Sequence, residues 1–342
     1  MFSKNVLPVA LAIGGVFANA QSSGKLRVYF MDVEGGQSTL FVTPAGESLL
    51  IDTGWPGNNG RDADRIVAEA KKAGLAKIDY VLITHFHDDH VGGVPQLVAR
   101  IPVGTFIDHG PNRELTPGVE HNYAEYQKVL ATGKLKHLTL KPGDTLPIKG
   151  FHATVISADG ELISHSLPGA GQPNEACKTS ATKAADQTEN ARSLGIEIDF
   201  GKLKLLDLGD LTWDKEMELV CPMNKLGNID IYIVSHHGWY QSSSPALVHG
   251  IHPRVAIMDN GEKKGGSPGT LDTLNSTPGL EALYQLHFAA ESADKNAPAD
   301  HLANLQGTVP DAGNPIELTA SKDGSFSITN TRTKETKLFP AK

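Results

Sequence analysis

Three histidines and two aspartates fall within six positions, His85-Phe86-His87-Asp88-Asp89-His90, directly after an apolar run that ends at Ile83 and Thr84. Residues two apart in extended backbone face the same side, so His85 and His87 can reach one ion. Asp89 and His90 come at the following turn and can face a second. Imidazole and carboxylate donors at this density make a metal-ligand pattern, and a merely solvated strand end has no use for them. Fourteen His against two Cys point the same way. Two thiols cannot supply a Cys-built zinc or iron–sulfur site, so that class is excluded.

The same theme recurs along the chain. Residues 49–51 run into Asp52, residues 202–208 into Gly209-Asp210, and residues 229–234 into Ser235-His236-His237-Gly238. Taken singly, Asp52 and Asp210 read equally well as turn formers, and His237 as a capped surface histidine. Taken together, polar groups at the ends of apolar strands make a shared catalytic rim the better reading. Trp55 and Tyr240 follow on the same loops and are expected on that rim, although ordinary loop packing explains them nearly as well.

These groups need strands to position them. Extended segments are expected at 26–33, 39–43, 48–51, 78–83, 103–107, 151–156, 193–200, 202–208, 229–234 and 254–258. Pro44-Ala45-Gly46-Glu47 reads as a hairpin turn. Helical spacing is expected over 62–73, 91–100, 213–220 and 279–286. Three short antiparallel strands are expected near the C-terminus, at 316–320, 326–329 and 337–339. Mixed strands and helices without a clean βαβ rhythm suggest sheets packed face to face with helices outside. Residues 159–190 and 259–278 read as long loops, the first bordering the mouth of the site.

Composition bounds the rest. The 342 residues carry 31 Lys+Arg against 39 Asp+Glu, a net charge of −8, which argues against a broad nucleic-acid-binding surface. Lys4, the apolar stretch 6–18 and Ala18-Asn19-Ala20 have the layout of a secretory signal peptide over residues 1–20. One catalytic domain is expected over 25–340, with no membrane span after signal removal and a periplasmic or secreted location. Cys177 and Cys221 could pair in that compartment, and two unpaired thiols read equally well.

The His85-x-His87-x-Asp89-His90 motif, with Asp52, Asp210 and His236 in order behind it, resembles the metallo-β-lactamase superfamily. Met31-Asp32-Val33, Asn190, Leu208-Gly209-Asp210-Leu211 and Ser235-His236-His237-Gly238 are similar to the metallohydrolase domain of the ComEC branch. The resemblance implies an α/β fold of αββα type, a sandwich of two mixed β-sheets flanked by helices, and two zinc ions, with Fe or Mn as alternatives. It implies that His85 and His87 bind one ion and Asp89, His90 and His236 the other. Asp210 would bridge, Asp52 would orient a ligand, and His237 would face the substrate. Asp89, His237 and Asp52 are thus the residues expected to take part in catalysis. Asn190 stands where the third histidine of the first ion usually lies, with His165 or His121 as substitutes from a loop. Gly266-Ser267-Pro268 replaces the usual Gly-His-Pro.

Zinc lowers the pKa of a bound water to about 7, making hydroxide available to attack an ester-type bond. A phosphodiester is the preferred bond, on the ComEC-like details. A lactonase or β-lactamase-like carbonyl hydrolase is the alternative, followed by a metal-stabilised binding module with little turnover. The partner expected is a small or oligomeric ester or phosphodiester.

Overall fold

In the computed structural model, residues 24–307 and 312–342 are described. The expected signal peptide lies outside them. The N-terminal half forms β1 (Leu26–Phe30), β2 (Thr39–Val42), β3 (Ser48–Ile51), α1 (Arg61–Lys72), β4 (Ile78–Leu82), α2 (Asp88–Val91), α3 (Val94–Val98), β5 (Val103–Asp108), α4 (Pro117–Leu130) and β6 (Lys136–Thr139). The second half carries β7 (His152–Ala158), β8 (Glu161–Leu162), β9 (Gln172–Pro173), β10 (Gly195–Phe200), β11 (Leu203–Asp207), α5 (Trp213–Val220), β12 (Met223–Asn224) and β13 (Ile231–Ile233). It continues through α6 (Pro245–Ile251), β14 (Val255–Met258), α7 (Pro268–Asn275), β15 (Ala282–His287) and β16 (Leu302–Asn304). The C-terminal strands are β17 (Ile316–Ala320), β18 (Phe326–Asn330) and β19 (Glu335–Phe339).

Two sheets result. One runs β19-β18-β17-β1-β2-β3-β4-β5-β6, the other β16-β15-β14-β13-β11-β10-β7-β8. Their inner faces meet through Phe41, Leu49, Leu82, Ile196, Leu205 and Ile231. Outside the first sheet, Ile66, Leu97 and Tyr126 of α1, α3 and α4 close a second apolar layer. Outside the other, Leu219, Leu247 and Leu271 of α5, α6 and α7 close a third. The layers are αββα, as expected from the motif resemblance.

One expected helix, 279–286, is a strand. Ala282, Tyr284 and Leu286 of β15 point into the sandwich and Leu283 points to the outer helices. A strand buried on both faces shows no polar alternation, so its period is hidden in sequence. The expected loop 259–278 contains α7, and β13-α6-β14-α7-β15 is a parallel βαβαβ run that the sequence reading did not anticipate. Ser244-Pro245 and Ser267-Pro268 were the available signals: both open a helix with Pro in its first turn, and Ser244 Oγ accepts from Leu247 N at 3.1 Å. The 91–100 helix is broken into α2 and α3. Cys177 and Cys221 are disulfide-bonded, tying the 159–190 segment to the end of α5.

Candidate metal centre

Strands β3 to β6 run parallel, as do β11, β13, β14, β15 and β16. The carboxyl ends of parallel strands are where α/β folds gather their ligand groups. Here β3 delivers Asp52, β4 delivers 85–90, β11 delivers Asp210 and β13 delivers His236 and His237. Asp52, His236 and His237 all sit at positive φ (58°, 56° and 55°), conformations that cost energy for residues with a Cβ. The tight backbone turns these side chains into one cleft.

His90 is the hub. Its Nδ1–H donates to Asp52 Oδ2 at 2.7 Å. Asp52 is in turn held by Thr84, whose N–H donates to Oδ1 at 2.8 Å and whose hydroxyl donates to Oδ2 at 2.6 Å. With its carboxylate so occupied, Asp52 acts by fixing the His90 tautomer and ring. That leaves His90 Nε2 facing Asp89 Oδ2 at 3.2 Å, Asp210 Oδ2 at 3.3 Å and His237 Nε2 at 3.2 Å. His237 Nε2 lies 3.1 Å from Asp89 Oδ2. All four residues are buried, and their donor atoms lie within 4.8 Å of one another.

Two observations test whether a metal ion fits. A neutral His90 with its proton on Nδ1 presents a lone pair to two carboxylates, which repel it unless a cation intervenes. Burial disfavours the His90 imidazolium, yet Asp210, Asp89 and Asp52 outweigh it and raise its pKa well above the ordinary value. The Oδ1 atom of Asp210 is buried with no hydrogen-bond partner. A divalent ion answers both demands, and the mixed carboxylate–imidazole set suits zinc or iron.

The two histidines of the 235–238 turn meet this cluster differently. His237, rather than His236, joins Asp89, His90 and Asp210. His236 Nε2 is 3.3 Å from Asp210 Oδ2 alone among the carboxylates it contacts, and its Nδ1 lies 3.3 Å from Ser242 Oγ.

The other side of the cleft is looser. His85 Nε2 lies 3.1 Å from His87 Nδ1 and 3.9 Å from Asp210 Oδ2. Burial, reinforced by His90 and His87, lowers the His85 pKa well below its usual value, keeping the ring neutral as a ligand must be. His87 Nε2 donates to Glu114 Oε2 at 3.0 Å, a contact the sequence reading missed. Glu114 also accepts the Glu189 N–H at 2.8 Å, so the loop after β5 and the end of the 159–190 loop are pinned together at His87. Asn190 is buried with its Oδ1 unpartnered. His121 and His165 are exposed, and neither joins the cluster. A second group, Asp32, Glu34 and His287, also brings donor atoms together, but Arg65 Nη1 contacts Asp32 Oδ2 at 3.2 Å and supplies positive charge there already.

Lys264, on the loop after β14, closes the cleft. Its ammonium contacts Asp89 Oδ2 and lies 4.7 Å from the centroid of Trp55. Trp55 is therefore on the rim. On the opposite loop, the Lys183 ammonium sits 3.8 Å over Trp213 and 5.6 Å from exposed Tyr240. The last part of the 159–190 loop thus reaches the loops that follow Asp210 and His237.

Comparison with known proteins agrees with this geometry. The family model of the metallo-beta-lactamase superfamily matches residues 32–172. The hydroxyacylglutathione hydrolase of Stenotrophomonas maltophilia is 34% identical over 124 residues, 36% of this chain and 44% of that one. Recombination protein 2 of Haemophilus influenzae is 27% identical over 233 residues, 68% of this chain and 24% of that one. ComE operon protein 3 of Bacillus subtilis is 25% identical over 258 residues, 70% of this chain and 29% of that one. The chain spans less than half the length of each of these relatives. The signature histidines, the αββα layers and the matched domain agree: residues 32–172 of this chain match the metallo-β-lactamase superfamily, and the relatives that share the match include a hydroxyacylglutathione hydrolase.

Proposed function

We propose that this protein is an exported zinc-dependent hydrolase that cleaves a small phosphodiester. The observation that carries the reading is the convergence of Asp89, His90, Asp210 and His237, four buried donors within 4.8 Å of one another. A zinc ion held there would make water acidic enough to attack at neutral pH and would polarise the ester oxygen. The chain's own residues do the rest. Asp52 fixes His90, Ser193 Oγ accepts the Asp210 N–H at 3.1 Å and so orients that carboxylate's backbone, and Glu114 holds His87. His236 Nε2, 3.3 Å from Asp210 Oδ2, would stand beside a leaving oxygen.

The phosphodiester preference is supported by the ComEC-like motifs and by the likeness to recombination protein 2 and ComE operon protein 3, each matched over about seven-tenths of this chain. The likeness to a hydroxyacylglutathione hydrolase favours a carbonyl ester as the second reading. Export is supported by Ala18-Asn19-Ala20 and by the Cys177–Cys221 bond, which persists in oxidising compartments.

The test is one panel: zinc-loaded protein against bis-p-nitrophenyl phosphate, single-stranded DNA, a homoserine lactone and nitrocefin at matched concentration. The expected result is turnover of the small diester above all others, abolished by chelation and restored by zinc. Lactone or nitrocefin turnover without diester hydrolysis would transfer the assignment to the second reading.

A further inference from the structure

We propose that Lys264 is the residue that receives the negatively charged oxygen of the substrate, and that it makes the site selective for monoanionic esters. This rests on the hydrolase reading above, which says nothing of how a substrate is held. Three observations carry it.

The first is position. Lys264 reaches the donor cluster from outside: its ammonium contacts Asp89 Oδ2, the same oxygen that faces His90 and His237, while its side chain is 29% exposed. It therefore spans from solvent to the reacting centre.

The second is construction. The Lys264 backbone is clamped by close approaches that only glycine permits. A Cβ on Gly265 would lie 2.1 Å from His237 O, and one on Gly261 would lie 2.7 Å from the Glu34 carbonyl carbon. On the facing loop, a Cβ on Gly35 would come within 2.9 Å of Lys264 Cβ, and one on Gly36 within 2.5 Å of Asp89 O. Gly261 N–H donates to Lys264 O at 2.9 Å and Gly266 N–H to His237 O at 2.9 Å. The stem of Lys264 is thus tied to the loop that carries His237, and its ammonium end lies between Asp89 and the Trp55 ring.

The third is charge balance. Once Asp89 serves as a ligand its negative charge is shared with an ion, and Lys264 loses most of its claim on that oxygen. An ammonium so placed, with an aromatic face beside it, attracts an anionic oxygen carried by a substrate whose ester sits at the cluster. A phosphodiester has such an oxygen beside the scissile bond. A carboxylate-bearing carbonyl ester has one farther away. A neutral ester has none.

The experiment compares wild type with Lys264→Met and Lys264→Arg, each zinc-loaded, with metal content and melting temperature measured. The probes are bis-p-nitrophenyl phosphate, neutral p-nitrophenyl acetate, and inorganic phosphate binding by calorimetry. In Lys264→Met, KM for the diester should rise about 10- to 100-fold, at least ten times more than any loss on the acetate, and phosphate affinity should fall in parallel. Lys264→Arg should recover most of both. Equal losses on the two esters, or unchanged phosphate affinity, would overturn the proposal and leave Lys264 as a structural partner of Asp89. If wild type turns over neither ester, the hydrolase reading fails by itself. The phosphate measurement then still decides Lys264: reduced affinity in Lys264→Met supports it and unchanged affinity refutes it.

Discussion

The two sides of the cleft are built from the same residue types to different standards. On one side, Asp89, His90, Asp210 and His237 point donor atoms at a common centre, with Asp52 and Thr84 locking the hub ring. On the other, His85 and His87 lean on each other, and the outward nitrogen of His87 is engaged by Glu114. The first side brings four buried donor atoms within 4.8 Å of one another. The second has His85 3.9 Å from Asp210, and the nearby Asn190 is buried with its Oδ1 unpartnered. The difference teaches that an unbroken sequence motif does not imply two equal sites.

Asp210 is the residue the two sides share, lying 3.3 Å from His90 and 3.9 Å from His85. Asp210→Ala should therefore remove activity by much more than the roughly 10- to 100-fold that loss of a supporting residue costs. Elemental analysis should show zinc lost from both sides, with a lower melting temperature. Wild-type turnover in this variant would erase the comparison altogether.

The histidine pair offers the next largest effect. His237→Ala should cost about 100-fold in kcat and release zinc on mild dialysis, because it removes one of four converging donors. His236→Ala should keep its zinc and lose about ten-fold or less in zinc-restored activity. The reverse order would return the ligand role to His236, as the motif alone suggests. Glu114→Gln addresses the looser side and should change activity no more than about ten-fold. It should shift zinc stoichiometry toward one per chain, measurable by titration against a chelating dye.

Much of this was legible before any coordinates. His85, His87, Asp89, His90, Asp52 and Asp210 declare themselves because each stands where an apolar strand stops, and strand ends in parallel sheets converge. The disulfide could be suspected but not assigned, since nothing in two cysteines 44 residues apart fixes their Cβ vectors. Glu114 was hidden because a lone glutamate in a polar loop has no period or motif. β15 was misread because burial on both faces removes the alternation that marks a strand.

The smallest effect tests the ground behind the tight side. Asp259, at the end of β14, is buried with an unpartnered Oδ1. Desolvation, with Asp207 adding its charge, pushes its pKa up to about 8 from an ordinary 3.8. A carboxyl raised in this way stabilises the fold fully below its unfolded value, and that contribution is lost as pH climbs through 8. Asp259→Asn should thus gain melting temperature over wild type progressively from pH 6 to pH 8, reaching a few degrees. A gain independent of pH would show that the carboxyl is ionised throughout.

The pairing of β1 has a consequence for how the molecule comes into being. β1 is flanked by β2, nine residues on, and by β17, whose Ile316 pairs with Phe30. The sheet that carries His85 to His90 therefore keeps β1 as an open edge until residues 316–339 are available. A chain synthesised or translocated from its N-terminus exposes its metal-binding histidines long before the framework that aims them is closed. On this topology the cleft closes late, and a metal ion that bound earlier would meet an unshaped cluster of imidazoles.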